Sequence, residues 1–486
     1  MGRKPCLVWL RQDLRTADNP ALAAASARGG KVIPIYVWAP EEEGDWPPGG
    51  AAKWWLHESL QKLDQELRGL GSRLIVRRGP SLATLRGVVR ESGAEAVFWN
   101  RRFEPEIRKR DEAIEHVLAA EGVEVLTFNG AVLNEPWTIR NKAGKPFQVF
   151  TAYWRHCAAQ GEPRQAEDAP RRVLGPRQWP VSLPVAELGL EPKPDWAGGL
   201  RAAWRPGSIG ARARLDEFLT DAFERYAVSR DMPGLEGTSR LSPHLHWGEI
   251  SPHQVWHALR ARAERGAMER GDWRESRFAT ELGWREFSHY LLFHFPHTEQ
   301  APLRAEFARF RWRNRPEQLQ AWQRGRTGFP MVDAGMRELW STGWMHNRVR
   351  MIAGSFLVKD LLINWLEGAR WFWDTLVDAD LAQNTLGWQW TAGCGADAAP
   401  FFRIFNPITQ GEKFDAKGDY IRKWIPELAG LPDKWIHQPR LAPPEVLRKA
   451  GVELGVTYPE PIINHVIARE VALEAFAKLK TESALR

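Results

Sequence analysis

The sequence predicts an α/β N-terminal domain, with a doubly wound parallel sheet of five strands, followed by an all-α C-terminal domain. The first 130 residues alternate short apolar runs with segments of helical periodicity, which is typical of parallel strands joined by crossover helices. From about residue 209 onward, apolar residues recur at helical spacing and strand-like alternation is absent. A chain of 486 residues is also too long for a single core, so more than one domain is expected.

The N-terminal pattern predicts the individual elements of the sheet domain. Strands are expected at 6–10, 32–38, 72–77, 96–100 and 123–129, with helices at 51–68, 80–91 and 104–120. Ligands of open α/β sheets bind at the carboxyl ends of the strands. In this sequence those ends carry Arg11-Gln12-Asp13, Trp38, Asn100-Arg101-Arg102 and Asn129. A dinucleotide-binding glycine fingerprint is missing, because Gly69 and Gly71 end a helix instead of following a strand.

A proline-rich stretch separates the two patterns. Residues 160–206 contain eight prolines and little periodicity, which indicates a long connection. We therefore expect an α/β domain over 1–135, a connector over 136–206 and a helical domain over 207–486. Candidate helices of the last domain are 209–226, 252–265, 274–296, 315–324, 330–341, 345–366 and 368–377.

The amino-acid composition indicates which classes of binding partner are expected. The net charge of +7 favours a polyanionic partner, although a basic protein without one has the same composition. There are 26 Trp against 6 Tyr, and indole faces stack on bases and flavin-like rings or simply fill cores. The three cysteines are far apart, so neither a structural disulfide nor a metal site is expected. No secretory leader or membrane span is predicted, and the cytoplasm is the expected location.

Two short segments suit a bound ligand but also have ordinary structural explanations. Residues 237–243 (GTSRLSP) place hydroxyl side chains and an arginine at a helix start, which makes either an anion site or an ordinary N-cap. Glu281, Trp284 and Arg285 share one face of a predicted helix. That face could bind a planar heterocycle, or it could be an amphipathic surface with an internal ion pair.

Two further segments are harder to explain as structure alone. Residues 343–351 form a polar run within an apolar region, with Asn347 and Met351 on one helical stripe and His346 and Arg350 on the next. Residues 378–415 combine acidic acceptors, two neighbouring indoles, a small-residue run and basic side chains. Such a mixture predicts a planar polar cofactor next to an anionic partner.

Five motifs, taken in their order along the chain, resemble the helical flavin domain of the photolyase/cryptochrome family. They read SRLSPHLHWGEIS, ELGWREF, LQAWQRGRTGFPMVDAGMREL, GWMHNRVRM and DADLAQNTLGWQWTAGCGADAAPFFRIFNPITQGEKFD. The N-terminal VWLRQDLRTADNPAL is similar to the family's first strand and loop. The resemblance runs nearly the full length and is greatest to cyclobutane pyrimidine dimer photolyases of class III or class I. It implies a carbon–carbon lyase, a deoxyribodipyrimidine photo-lyase, that repairs DNA with light.

The resemblance implies FAD as cofactor, active as reduced FADH⁻, held in the helical domain. Arg350 and Asp378 match an ion pair beside the flavin ring, Asp380 an acceptor to it, and Asn384 the residue facing flavin N5. An acid faces N5 in plant-type cryptochromes, so the amide of Asn384 favours the repair reaction. The implied cofactor-binding residues are Tyr226, Thr238, Ser239, Leu241, Ser242, Arg285, Asn347, Arg350, Asp378, Asp380 and Asn384.

The implied substrate is double-stranded DNA containing pyrimidine dimers, with the damaged pair flipped into a pocket. Histidines at the positions of Asn347 and Met351 are typical of (6-4) photolyases, so this chain favours the cyclobutane lesion. The implied catalytic and lesion-binding residues are Glu281, Asn347, Met351, Trp284 and Trp390. The implied DNA-binding residues are Arg348, Arg403, Asn406, Gln410 and Lys413. These would position phosphates instead of reading bases.

Two further features follow from the resemblance. Trp388, Trp365 and Trp312 match a tryptophan chain that carries electrons to oxidised flavin. The α/β domain would hold a light-harvesting antenna, with 5,10-methenyltetrahydrofolate expected and a deazaflavin as the alternative. Trp38, Trp54 and Trp55 are candidate antenna residues, and core packing explains them equally well.

A monomer is expected. Two other functions compete with repair. A cryptochrome-type blue-light receptor without repair activity would carry a long C-terminal tail and an altered dimer pocket. A flavin oxidoreductase that uses NAD(P)H would need a nicotinamide site, and its fingerprint is missing from the sequence.

Overall fold

The computed structural model describes residues 3–267 and 273–484, and the chain divides into two compact units. The first unit comprises Met1–Glu224, Ser239–Pro296 and Val377–Leu381, and the second comprises Arg225–Thr238, His297–Leu376 and Ala382–Arg486. The predicted fold class is confirmed, because a five-stranded parallel sheet is followed by helical structure. The predicted domain limits at 135 and 206 stay a prediction, since this division into units follows other boundaries.

The sheet lies in the first unit and is parallel throughout. Its strands are β1 (Cys6–Leu10), β2 (Val32–Trp38), β3 (Ile75–Arg78), β4 (Ala96–Asn100) and β5 (Glu124–Phe128). Their spatial order is β3-β2-β1-β4-β5, so the direction of winding changes between β1 and β4. Every residue of β1, β2 and β4 is buried, which explains their unbroken apolar runs. The change of direction opens a crevice at the carboxyl ends of β1 and β4.

Helices cover the sheet and build the second unit. They are α1 (Pro20–Ala27), α2 (Gly50–Gly69), α3 (Ser81–Ser92), α4 (Pro105–Ala120), α5 (Phe150–Ala159), α6 (Gly198–Ala203), α7 (Ser208–Glu217), α8 (Tyr226–Ser229), α9 (Ser242–His246), α10 (Pro252–Arg262), α11 (Arg277–His294), α12 (Pro316–Gln323), α13 (Pro330–Thr342), α14 (Asn347–Ser355), α15 (Trp365–Thr375), α16 (Leu381–Ala392), α17 (Pro407–Phe414), α18 (Asp419–Trp424), α19 (Asp433–Ile436), α20 (Pro444–Ala450) and α21 (His465–Ala484). Over the described ranges, none of these helices combines the length and the apolar character needed to cross a bilayer.

Several predicted elements have different limits in the structure. The strand predicted at 72–77 begins only at Ile75, because the backbone N–H of Leu74 bonds the Asp64 carboxylate at 2.8 Å instead of a neighbouring strand. The helix predicted at 209–226 ends at Glu217 and passes through a wider turn, Phe218–Ala222.

The prediction of a single helix over 345–366 is also wrong, because two separate helices, α14 and α15, begin in this segment. After α14 the chain continues through a wide turn, Phe356–Asp360, in which Leu361 N–H bonds the carbonyl of Phe356. Leu362 then adopts a left-handed backbone with φ of +55°, which ends the helix. Asn364 caps α15 by accepting a hydrogen bond from Leu366 N–H, so the capping side chain marks the true start.

Candidate functional site

A pocket lies in the first unit at the crevice predicted from the sheet topology. Its volume is about 480 Å³, including space open to solvent, and residues from the ends of β1 and β4 line one side. Its lining residues are Gln12, Asp13, Arg15, Asn100, Arg101, Arg102, Phe103, Glu104, Gly130, Ala131, Leu245, His246, Gly248, Ile250, Pro252, Arg285, His289 and Asp380. Of the predicted strand-end positions, Arg11, Trp38 and Asn129 lie outside this lining.

The two strand ends are joined by hydrogen bonds beneath the pocket. Asn100 donates from Nδ2 to Asp13 Oδ2 at 2.6 Å, and the other oxygen of Asp13 accepts from the backbone N–H of Arg11 at 2.6 Å. The side chain of Arg11 turns away and pairs with Asp111 within the fold. Asn100 also donates to Asn19 Oδ1 at 2.8 Å and accepts from Ala21 N–H at 3.3 Å, so its amide and the Asp13 carboxylate are already hydrogen-bonded within the fold.

Arg102 is held in one orientation by two carboxylates. It makes a two-pronged contact with Glu43, at 2.7 and 2.9 Å, and a second ion pair with Glu104 at 2.8 Å. Burial raises the pKa of Glu104, but the Arg102 charge outweighs burial and holds that pKa below its ordinary value. Glu104 thus stays ionised at the pocket wall.

Asp380 brings a carboxylate from the flavin-like motif into the same pocket. Its Oδ2 lies 3.5 Å from His246 Nδ1 and 3.6 Å from His289 Nε2. Burial opposes ionisation, yet His289, His246 and Arg285 together hold the pKa of Asp380 well below its usual range. Burial lowers the pKa of His289 to about 4, so this ring is neutral near pH 7.

Glu281, Trp284 and Arg285 all lie on helix α11, as predicted. Arg285 donates to the carbonyl of Ala131 at 2.8 Å and lines the pocket. Trp284 stacks on Phe150 with ring centroids 3.9 Å apart and planes within 10°. Glu281 is half-buried on the same face of the helix. One indole face is therefore already occupied by a protein ring.

Glu286 is a buried acid on α11 that the sequence reasoning missed. Its Oε2 accepts hydrogen bonds from the backbone N–H groups of Leu133 at 2.7 Å and Asn134 at 3.2 Å. Burial, opposed by Arg285 and these donors, raises the pKa of Glu286 to about 7. This carboxylate anchors the chain that follows β5 to α11.

The candidate phosphate turn lies at the start of α9. Ser239 accepts a long hydrogen bond from Leu241 N–H at 3.4 Å, and Arg240 between them has a left-handed φ of +51°. Leu241 is buried, whereas the side chain of Ser242 is exposed at the helix start.

The three antenna candidates are core residues of the first unit. Trp54 and Trp55 are 1% and 0% exposed, and Trp38 is 7% exposed. Trp55 donates from Nε1 to the buried carboxylate of Glu249 at 3.0 Å. These positions favour the core alternative that the sequence left open.

In the second unit, Asn384 and Trp388 lie one turn apart on α16. Asn384 donates from Nδ2 to the carbonyl of Ala369 at 3.0 Å, which directs its carbonyl oxygen away from that contact. Trp388 packs edge-on against Phe372 at 4.9 Å and Trp322 at 6.1 Å. The sequence analysis did not single out either of these neighbouring rings.

The other two members of the predicted electron chain are in the second unit as well. Trp365 is the buried first residue of α15, and Trp312 is half-buried and packs on Phe310 at 4.5 Å. Trp388 is buried, so the three residues differ in their access to solvent. Trp312 is the most accessible of the three.

Helix α14 carries the predicted lesion residues. Asn347 is exposed at its first position, and Met351 follows one turn later and is half-buried. Arg350 donates from Nε to the carbonyl of Met345 at 2.7 Å. Arg348 pairs with Asp231 at 2.8 Å and lies over the ring of Phe414, at 4.4 Å from its centroid. Arg348 is therefore engaged within the protein.

The remaining predicted residues take different positions. Tyr226 is buried at the start of α8, below Arg230, and Thr238 is half-buried. Asp378 is buried in the first unit. Trp390 is half-buried near the end of α16, and its carbonyl accepts from Ala399 N–H at 3.2 Å.

Four predicted DNA-binding residues lie on α17 and the segment before it. Asn406 caps the helix by accepting from Ile408 N–H at 2.9 Å, and Gln410 and Lys413 follow at four and three residues, on the same face. Arg403 and Lys413 are exposed. Phe402 is also 62% exposed, an unusual position for a phenylalanine that the sequence analysis missed.

Comparisons with known proteins identify the family. The model for the FAD binding domain of DNA photolyase matches residues 278–478, and the DNA photolyase model matches residues 6–172. A deoxyribodipyrimidine photo-lyase of Agrobacterium fabrum is 48% identical over 98% of this chain and 98% of its own. The chain belongs to the photolyase/cryptochrome family. FAD is accordingly its flavin cofactor.

Other family members are similar along nearly the whole chain. The crystal structure of a bacterial class III photolyase from Agrobacterium tumefaciens matches with a TM-score of 0.95 and 47% identity, covering 99% of this chain and 98% of that one. Cryptochrome-1 of Arabidopsis thaliana is 42% identical over 97% of this chain and 70% of that protein. Both branches of the photolyase/cryptochrome family are thus represented among the relatives.

Proposed function

We propose that this photolyase-family chain is a deoxyribodipyrimidine photo-lyase that repairs cyclobutane pyrimidine dimers in double-stranded DNA with blue light. Asn384 carries the proposal, because a neutral amide stands where plant-type cryptochromes have an acid. Its N–H group is bound to the carbonyl of Ala369, so a carbonyl oxygen is available for flavin N5. The full-length similarity to a photo-lyase at 48% identity supports the same reaction.

The residues present fit a flavin. In the first unit, buried Asp380 keeps a negative charge that can accept the N–H edge of a flavin ring, and Arg285 adds a guanidinium. In the second unit, the amide of Asn384 suits flavin N5. The residues that would hold FAD are Tyr226, Thr238, Ser239, Leu241, Ser242, Arg285, Asn347, Arg350, Asp378, Asp380 and Asn384.

When bound, reduced FAD supplies the electron that a pyrimidine dimer needs for splitting under light. The chain itself binds and orients the lesion. Glu281 would hydrogen-bond a thymine edge, and Trp284 and Trp390 would stack on the dimer. Phe150 already supports one face of the Trp284 indole at 3.9 Å, so the opposite face is the one for a base. Asn347 and Met351 are also proposed to contact the lesion.

We further propose that DNA binds along α17 and the preceding segment. Exposed Arg403 and Lys413 would meet phosphates, and Asn406 and Gln410 share the Lys413 face. Arg348 would have to exchange its 2.8 Å ion pair with Asp231 for a phosphate. Trp388, Trp365 and Trp312 would carry electrons inward to oxidised flavin.

An antenna chromophore completes the proposal. The α/β domain would hold it, and the similarity to a class III photolyase at 47% identity supports a folate chromophore. 5,10-Methenyltetrahydrofolate is therefore proposed, with a deazaflavin as the alternative. Stacking of the antenna on Trp38, Trp54 or Trp55 would require these buried side chains to move. A monomer located in the cytoplasm is also proposed.

The deciding experiment is a light-dependent repair assay. Purified, reduced protein is incubated with a thymine-dimer oligonucleotide under blue light and in darkness. Dimer loss only in the illuminated sample is expected, and an undamaged oligonucleotide serves as control. Equal dimer content in the illuminated and dark samples would rule out repair and favour a receptor function.

A further inference from the structure

Lys359 is a lysine of the second unit that has no exposed surface. It is 0% exposed and lies in the wide turn Phe356–Asp360 after α14. Lysine is rarely fully buried unless it is paired, because its charge loses hydration. Wide turns of this kind also occur frequently at functional sites. Both observations raise the question of what the ammonium group does.

The ammonium group of Lys359 contacts the segment that precedes α17. Its Nζ donates to the backbone carbonyl of Arg403 at 2.9 Å. The same nitrogen lies 5.5 Å from the ring centroid of Phe401. A hydrogen bond from a cation to a carbonyl is stronger than one between neutral groups. Lys359 therefore contacts the backbone of Arg403 and the ring of Phe401, which are the two neighbours of exposed Phe402.

A second anchor comes from the same part of the chain. Ser355, the last residue of α14, accepts a hydrogen bond at Oγ from Phe405 N–H at 3.2 Å. Phe401 packs against the rings of Phe310 at 5.3 Å and Phe476 at 4.7 Å. The exposed side chains of Phe402 and Arg403 thus lie between fixed points.

The segment has few other means of holding its shape. Residues 393–406 form neither helix nor strand. Within residues 400–406 the backbone makes short turn bonds, such as Arg403 N–H to Pro400 O at 2.9 Å and Ile404 N–H to Phe402 O at 3.0 Å. A loop without a ladder of hydrogen bonds depends strongly on each tertiary contact. Loss of the Lys359 contact would therefore free the backbone that carries Arg403.

We propose that Lys359 is a positioning residue for DNA binding, whose buried ammonium fixes the backbone of Arg403 so that the exposed guanidinium meets the DNA in one arrangement. This inference rests on the proposed function, in which Arg403 binds DNA. Lys359 touches neither DNA nor flavin in this role. It acts through Arg403, by reducing the conformational freedom that binding would otherwise remove.

The charge of Lys359 depends on its surroundings. Burial lowers its pKa to about 8, with Asp360 opposing and Arg403 reinforcing the shift, while Cys394 has a small opposing effect. Asp360 is itself bound to His465 Nδ1 at 2.5 Å. The ammonium is present below about pH 8 and becomes a neutral, weaker donor above it. DNA affinity that depends on this contact should fall as pH rises through that value.

A double-mutant cycle tests the proposal. Lys359→Met in the flavin-loaded protein is expected to raise the Kd for a thymine-dimer duplex about fivefold, whereas in an Arg403→Ala background it changes Kd less than about twofold. Lys449→Met removes the same charge from an exposed position on α20 and is the matched control. Equal effects of Lys359→Met in both backgrounds would overturn the proposal.

A second measurement needs no change at Lys359 and covers the case in which that variant does not fold. The Kd for the same duplex is measured from pH 7 to pH 9.5 for the wild type and for Arg403→Ala. A rise in the wild-type Kd centred near pH 8, absent from Arg403→Ala, is expected. Identical pH profiles would contradict the proposal. Light-dependent repair by the wild type is scored separately, so failure of the repair function is recognised independently.

Discussion

At the scale of single residues, the first unit places buried charges along α11 and around Asp380. Glu281, Arg285 and Glu286 are close neighbours on one helix, yet they meet different surroundings. Glu286 is buried and bonded to backbone, whereas Glu281 is only half-buried. Glu286 is thus suited to a structural role, and Glu281 to binding a ligand.

Glu281→Ala should reduce repair while leaving FAD bound. Loss of one hydrogen bond to the lesion is expected to lower the repair rate by about tenfold. The rate is measured under blue light, and the flavin content is measured by absorbance of the same sample. Glu281→Gln keeps a polar group of the same size and is the control, expected to retain more activity. Complete loss of flavin from Glu281→Ala would contradict the assigned role.

Glu286 should make the stability of the fold depend on pH. Its folded pKa of about 7 is above the ordinary glutamate value, so the folded state retains a proton that the unfolded chain releases. The free energy of unfolding should therefore decrease by about 3 kcal/mol as pH rises from about 4.5 to about 7. Glu286→Gln should abolish this decrease in urea unfolding of the flavin-loaded protein.

An exposed acid supplies the comparison for this measurement. Glu115 lies on the exposed side of α4, and Glu115→Gln should preserve the pH dependence of the wild type. A Glu286→Gln protein with an unchanged pH profile would show that this carboxyl group is not the source of the decrease.

At the scale of elements, two helices of the second unit meet through a glycine. Gly368 on α15 faces the indole of Trp388 on α16, and a Cβ atom built at Gly368 would lie 2.1 Å from the nearest ring atom. Only a residue without a side chain allows the two helices this approach. The position of Trp388 is thus defined by the surface of a neighbouring helix.

Gly368→Ala should displace Trp388 and destabilise the second unit. An overpacked contact of this kind is expected to cost about 1–3 kcal/mol, seen as a lower melting temperature. Photoreduction of bound, oxidised FAD should also slow, because the displaced indole is the proposed last donor. Gly387→Ala on α16 is the control, since nothing lies within 4 Å of its added methyl group, and it should be neutral or stabilising. Unchanged melting and photoreduction in Gly368→Ala would refute the packing argument.

At the scale of the whole molecule, the net charge of +7 can be related to exposed basic residues of one surface segment. The exposed residues Arg403 and Lys413 lie on α17 and the segment before it, in the second unit. Polyanion binding by such residues releases counterions, so it must weaken as salt increases. The composition alone indicated the type of partner but not the surface.

The salt dependence of DNA binding should show whether an individual basic side chain contacts a phosphate. A plot of log Kd against log salt is expected to become shallower by about 1 in Arg403→Ala, because one phosphate contact is lost. Lys449→Ala on α20 should leave the slope unchanged. An unaltered slope in Arg403→Ala would exclude a phosphate contact by this residue.

Much of the fold could be predicted from local pattern, and less of the site. The unbroken apolar runs of β1, β2 and β4 predicted a buried parallel sheet, and its crevice was expected at the strand ends. The break at Leu362 was missed, because a left-handed residue other than glycine has no local signature. The pairing of Arg348 with Asp231 was also missed, since the partners are far apart in sequence.

The boundaries between the two units have a practical consequence for fragment work. The chain changes unit after Glu224, Thr238, Pro296, Leu376 and Leu381. A fragment beginning at His297 would contain most of the second unit, but it would lack Arg225–Thr238 and would retain Val377–Leu381 from the first. No single cut therefore yields either unit intact, and chimaeras with other family members would have to exchange several separate segments together.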